Sequence, residues 1–239
     1  MVPSTRGRKA KPRLRKHGFL TASSGTDLAE FVHPSRVPNP GEPHHIINYF
    51  PSPGAQAMVT PTVKKFASQF GQPHNIRDIS TVIGQVRQQI ALRRVPVAVA
   101  RELYARRTAT DIIHSKASLT LEKGAEKVVP MYGCVDHGLA LTATLRALQI
   151  PSFFARRGQR TMVFFRFKGK NYYVDPSRHT KSPEPQEMSH HDSRVFEHLR
   201  ETGAFNRGRD AWDIGMASIQ DFNKYVSIFD RFFGAQKKT

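Results

Sequence analysis

With a single cysteine among its 239 residues, the chain cannot form an internal disulfide. No cluster of cysteines and histidines has zinc-site spacing, so packing is expected to hold the fold, with no metal and no cofactor. Apolar runs approaching the roughly eighteen residues of a membrane span are missing, and the basic N-terminus has no apolar segment behind it. Neither a membrane partner nor a secretory signal is therefore expected. A reducing interior, cytoplasmic or associated with a nucleoid or ribosome, fits these absences. Carboxylates are also scarce: 19 Asp and Glu stand against 37 Lys and Arg, a formal net charge of +18.

That imbalance is of the kind that binds polyanions. Residues 1–26 carry much of it, with Arg6, Arg8, Lys9, Lys11, Arg13, Arg15 and Lys16 and no acid before His17. Removing those seven charges from +18 leaves +11, so the body is basic in its own right. The arm lacks the apolar density to fold alone. Its cations, separated by glycine and proline, can follow a phosphate backbone. The expected partner is nucleic acid, RNA slightly ahead of DNA, in a ribonucleoprotein setting. A localisation signal or a general solubilising charge would look the same in composition.

Residues 27–60 are rich in proline and are expected to lie irregularly against the domain that follows, 61–239. Thr60-Pro61 reads as a helix start, with Val63, Phe66, Ala67 and Phe70 at helical spacing before Gly71. A second helix is expected from Ile79, Val82, Ile83, Val86 and Ile90, with Arg93-Arg94 at its C-terminal end, where cations suit the dipole. A third apolar stretch runs from Val97 to Tyr104 and towards Ile113. Near the end of the chain, Val195 to Leu199 reads as a short helix, Trp212 as a core anchor, and Ile219 to Phe233 as a last amphipathic helix.

The chemistry concentrates between Tyr132 and Pro176. Cys134 opens an apolar-periodic, alanine- and leucine-rich segment that reads as a buried helix. A cysteine in a first turn lies near the positive end of the macrodipole and free backbone donors, as activated thiols do; a buried apolar filler is the bland alternative. Ser152–Ala155, Met162–Phe167 and Asn171–Val174 are β-branched and aromatic, with a Lys168-Gly169-Lys170 turn. They predict antiparallel strands packed on the cysteine helix, an α+β fold.

The ordered combination YGCVDHGLALTATLRALQIP followed by YYVDPS resembles the transglutaminase-like core, the papain-like architecture shared by transglutaminases, peptide N-glycanases and many microbial thiol proteins. The resemblance implies leading helices, Cys134 as nucleophile and Asp175 as the carboxylate that orients a histidine. It places that histidine at the start of the first hairpin strand, where this chain has Arg160 or Thr161. Arginine stays protonated and offers no acceptor, so it cannot act as a general base; it can pair with Asp175. His137, one turn beyond Cys134, is a candidate substitute base or a packing group. His114 and His179 are further candidates, whereas His44-His45 and His190-His191 read as surface pairs.

Three functions remain. A metal-independent thiol amidase, protease or acyltransferase would use Cys134 on a protein substrate with a non-standard base. A catalytically degenerate, transglutaminase-like protein would associate with nucleic acid through its basic arm and surface. A scaffold for protein partners would carry its charge incidentally.

Overall fold

Thr60 accepts a hydrogen bond from the Val63 N–H at 3.3 Å, and Pro61 sits in the first turn, where its missing donor is not needed. The result is α1 (Pro61–Ala67), which buries Val63, Phe66 and Ala67 before a short 3-10 turn ends at Gly71, φ 67°. A reciprocal capping box between Asn75 and Asp78 starts α2 (Ile76–Gln89), whose buried stripe is Ile79, Val82, Ile83 and Val86. This computed structural model describes residues 20–21, 28–31, 33, 54–121, 134–158, 160–176, 184–216 and 221. The basic residues Arg6 to Lys16 and nearly all of the expected last helix lie outside that set.

Arg93 and Arg94 are not at a helix end, as the periodicity predicts, but in β2 (Ala91–Val95). Ile90 turns extended, and β2 pairs parallel with β3 (Ala117–Leu121), Ala91 opposite Ala117 and Val95 opposite Leu121. Non-local pairing overrides the helical period there, which a reading of local spacing does not register. The other neighbour of β2 is β1 (Leu20–Thr21), so two residues of the expected arm add a parallel edge strand. The apolar stretch after Val97 is divided into α3 (Val97–Leu103) and α4 (Ala109–Ser115). The division follows from Ala105 at φ 57° and from a new capping box between Thr108 and Asp111.

Then comes α5 (Cys134–Ala147), in which every residue from Cys134 to Leu145 is buried. Helices α1, α2 and α4 and strand β3 pack on it from one side, β4 (Ser152–Arg157) and β5 (Arg160–Phe167) from the other. These two strands are central in a five-stranded antiparallel sheet of order β7-β6-β5-β4-β8. Its remaining members are β6 (Lys170–Val174), β7 (Gln186–Glu187) and β8 (Phe205–Gly208). Lys168 and Gly169 turn the β5–β6 hairpin at φ 47° and 80°, the doubly positive pair that a two-residue loop requires.

Alternation along the strands divides the core. Phe154, Val163, Phe165, Tyr172 and Val174 face the main core with α5. Ala155, Met162, Phe164 and Phe205 face the opposite way, where they meet Phe196 and Leu199 of α6 (His190–Glu201). That helix begins five residues before the expected Val195, because Ser189 and Asp192 cap it reciprocally. Trp212 is buried and donates Nε1–H to the Ala105 carbonyl at 2.6 Å, a core anchor. The architecture is thus α+β, an antiparallel sheet with helices on both faces. Among the described residues no helix is long and apolar enough to cross a membrane.

Two local constraints fix α5. A Cβ on Gly138 would lie 2.4 Å from Thr161 Cγ2 and 3.1 Å from Phe154 Cε2, so the helix touches the sheet through glycine. On the other side, Arg107, side chain 1% exposed, donates Nη1–H to Asp136 Oδ2 at 2.9 Å and to Ala117 O at 2.9 Å. Its Nε–H goes to Phe31 O at 2.9 Å, and its Nη2 to Asp111 O and Ser115 Oγ. Asp136 also accepts the Leu119 N–H at 2.8 Å. Burial pushes the Asp136 carboxyl up from its ordinary range, while Arg107 and the Leu119 N–H pull it back.

Asp136→Asn removes the countercharge of a buried guanidinium and is expected to cost ~3–5 kcal/mol in urea unfolding. Gly138→Ala is expected to cost ~1–3 kcal/mol, because the contacted atoms belong to packed strands. A shift in urea midpoint below a few tenths of a molar for either variant would contradict these contacts.

Candidate functional site

Cys134 is the first residue of α5, and its residue is 5% exposed. Two strand side chains reach its sulfur. Arg156 of β4 directs Nη1–H at Sγ from 3.5 Å, and Thr161 of β5 directs its hydroxyl from 3.4 Å. They are paired across the sheet, Arg156 opposite Thr161, and Arg156 Nη1 donates to Thr161 Oγ1 at 2.9 Å. Arg156 Nη2 donates to Gly158 O at 2.8 Å, which turns the guanidinium back along its own strand. Both side chains are fully buried.

The resulting chain of hydrogen bonds has a direction. Arg156 donates to Thr161, and Arg156 and Thr161 both donate to sulfur. A guanidinium has no acceptor site, and a hydroxyl is far too weak a base to hold the proton of a thiol at neutral pH. What this arrangement can do is solvate the sulfur from two sides in a dry core. Tyr104 completes the surroundings. Burial drives its phenol well above its ordinary value; Arg156 opposes this, and Cys134 and Asp136 add to it. A neutral phenol therefore stands in the electrostatic field of Cys134 and Arg156.

Of the two residues at the start of the first hairpin strand, it is Thr161 that faces the sulfur. Arg160 points outward, 76% exposed, and its Nη1 lies 3.9 Å from Asp175 Oδ2. Asp175 follows β6, half-buried, and its ion pair across the strand ends with so exposed an arginine adds little stability. Thus the carboxylate expected to orient a base is engaged by the neighbouring residue of the same strand. His137 is buried, with Nε2 3.0 Å from the Ile90 carbonyl, so it ties α5 to the start of β2. His114 is exposed on α4, ring edge against His33 at 5.2 Å between centroids. His190 and His191 are exposed in the first turn of α6. His44, His45 and His179 fall outside the described residues.

Arg156 and Tyr104 are the members that the sequence expectations missed. A signal for Arg156 exists: in a strand with Phe154 facing inward, period-two alternation puts residue 156 on the same inner face. A charged residue on the core face of a central strand marks an internal polar contact. Tyr104 carries no comparable signal, because its place depends on the break between α3 and α4. Among the described residues, no group of three histidines, cysteines or acids is gathered that could hold a metal ion.

Comparison of the chain with protein-family models, curated proteins and solved structures finds no match.

Thr161→Val leaves an Arg156 donor without its oxygen acceptor in the core and is expected to cost ~1–3 kcal/mol. Arg156→Met/Thr161→Val, which removes both ends of the contact, should cost less than the sum of the single variants in urea unfolding. Strict additivity would contradict the observed hydrogen bond.

Proposed function

We propose that the chain is a transglutaminase-like protein that keeps the cysteine-helix frame, has lost general-base catalysis, and associates with nucleic acid. One observation carries the loss of catalysis. Thr161 stands at the strand position where the resemblance expects a histidine, and Arg156 fills the other approach to Cys134 Sγ. The helix-on-sheet order, with the cysteine at the helix start and the aspartate at the strand end, supports the family reading. In this reading His137 is a structural tie to Ile90, and the Arg160–Asp175 pair is what remains of a carboxylate that once oriented an imidazole.

The nucleic-acid half rests on charge. A net of +18 on 239 residues, of which seven charges sit in residues 1–17, gives both a tether for phosphates and a basic body. Cations of this kind bind by releasing counterions, so the interaction is sensitive to salt and indifferent to the thiol. RNA is the favoured partner, within a cytoplasmic ribonucleoprotein or on a nucleoid. If Cys134 were instead a working nucleophile, the product would be a metal-independent amidase, protease or acyltransferase acting on protein substrates.

Binding of labelled oligonucleotides by anisotropy should weaken steeply with salt, with a log–log slope of ~0.7–0.9 per phosphate contact. Deleting residues 1–17 should reduce that slope, and Cys134→Ser should leave affinity unchanged. Salt-independent binding, or no binding at low salt, would overturn the assignment.

A further inference from the structure

Helix α6 covers only part of the outer face of the antiparallel sheet. Its side chains Phe196 and Leu199 meet Ala155, Met162, Phe164 and Phe205, and Phe153 lies beyond that cluster. Phe153 is 42% exposed on a central strand, where an aromatic ring would ordinarily be covered. Register shows what surrounds it. Phe153 is opposite Phe164 on β5, and Arg166, two residues further along the same face, donates its N–H to Pro151 O at 2.9 Å. On the other side, Arg207 of β8 is opposite Ala155, also on this face. The Arg207 guanidinium carbon lies 5.4 Å from the Phe153 centroid and 6.0 Å from that of Phe164.

An exposed aromatic ring is thus flanked by two exposed arginines, one lying over the aromatic floor. Asn171, opposite Arg166 and also exposed, adds an amide to the same face. Three other cations in or beside the sheet are paired: Arg160 with Asp175, Lys170 with Glu187, Arg209 with Asp213. Among the described residues no carboxylate pairs with Arg166 or Arg207. An apolar partner would bury these two guanidinium groups without counterions, which is costly. A polynucleotide strand brings what the patch lacks: a planar π-face for the ring and the guanidinium plane, and a phosphate for each arginine. A duplex keeps its bases stacked and unavailable to such a surface.

We propose that the face formed by Phe153, Arg166, Asn171 and Arg207 binds unpaired nucleotides, one base stacking on Phe153 and Arg207 while the arginines hold the flanking phosphates. This rests on the nucleic-acid reading above and makes it a preference for single strands. The bound strand crosses β8, β4, β5 and β6 at the end of the sheet that α6 leaves open, on the side opposite Cys134.

The test uses the full chain with fluorescein-labelled oligo-U, oligo-dT and a duplex RNA of the same length. Phe153→Ala should weaken single-strand binding by about 5- to 150-fold, the range for losing one base–aromatic stack. Duplex affinity and the salt slope should stay unchanged, and Phe153→Tyr should retain binding. Arg207→Ala should weaken single-strand binding and also lower the salt slope. Equal loss for oligo-U and oligo-dT marks a site for bases and phosphates; a larger loss for oligo-U adds ribose contact. If wild-type protein binds single strands and deletion of residues 1–17 weakens it, but Phe153→Ala and Arg207→Ala do not, this site is wrong and the general reading stands. If wild-type protein binds none of the three probes, both fall. A change in melting temperature or oligomeric state on Phe153→Ala, with affinity intact, would show that the face is occupied by protein and overturn the proposal.

Discussion

The buried guanidinium of Arg107 is the group on which most of the arrangement depends. It gathers the carbonyls of Phe31, Asp111 and Ala117 and the carboxylate of Asp136, so nearby α4 and β3 and the distant Phe31 and Asp136 share one charge. Asp111 repeats the pattern, accepting from His33 N–H at 2.7 Å and from the Thr108 backbone and hydroxyl. A charge taken this far from water is tolerated only when its donors are used, and the described contacts occupy all three of its nitrogens. Because Asp136 is two residues beyond Cys134, the ion pair sets the rotation of α5 about its axis. Gly138 then lets that helix settle onto Thr161 and Phe154. The position of the thiol follows from these two contacts together with the donors that reach it from Arg156 and Thr161.

The polar groups around Cys134 are organised for donation. The hydrogen bonds from Arg156 and Thr161 converge on sulfur, and the phenol of Tyr104 is held neutral by burial. A polar cluster of this kind in a packed core specifies one register of helix against sheet. The exposed side chains of Phe153, Arg166 and Arg207 lie on the other face of the sheet, which the cysteine does not share.

Much of the fold was legible because the signals were local. Thr60-Pro61 capped a helix, the alanine-rich segment after Cys134 formed one, and Lys168-Gly169 turned a hairpin, each from residues adjacent in sequence. What was not legible depended on partners far away. Arg93 and Arg94 became strand residues through pairing with Thr120 and Leu119, and nothing between Ile90 and Val95 announces that. The start of α6 was missed for another reason: the Ser189–Asp192 capping box lies in a polar stretch whose only apolar signal begins at Val195. At the site, the absence of histidine from the hairpin start could be read directly. That Thr161 rather than Arg160 faces the sulfur needed the strand register, and the role of Arg156 needed the same alternation applied one strand earlier.

In the proposed reading Cys134 is held by donors and does not act as a nucleophile. Incubating the folded chain with an activated acyl ester, whose leaving group needs no general acid, and weighing the intact protein tests this directly. No acyl adduct is expected beyond that found for Cys134→Ser. A stoichiometric adduct on Cys134 that forms within seconds and then hydrolyses would contradict it.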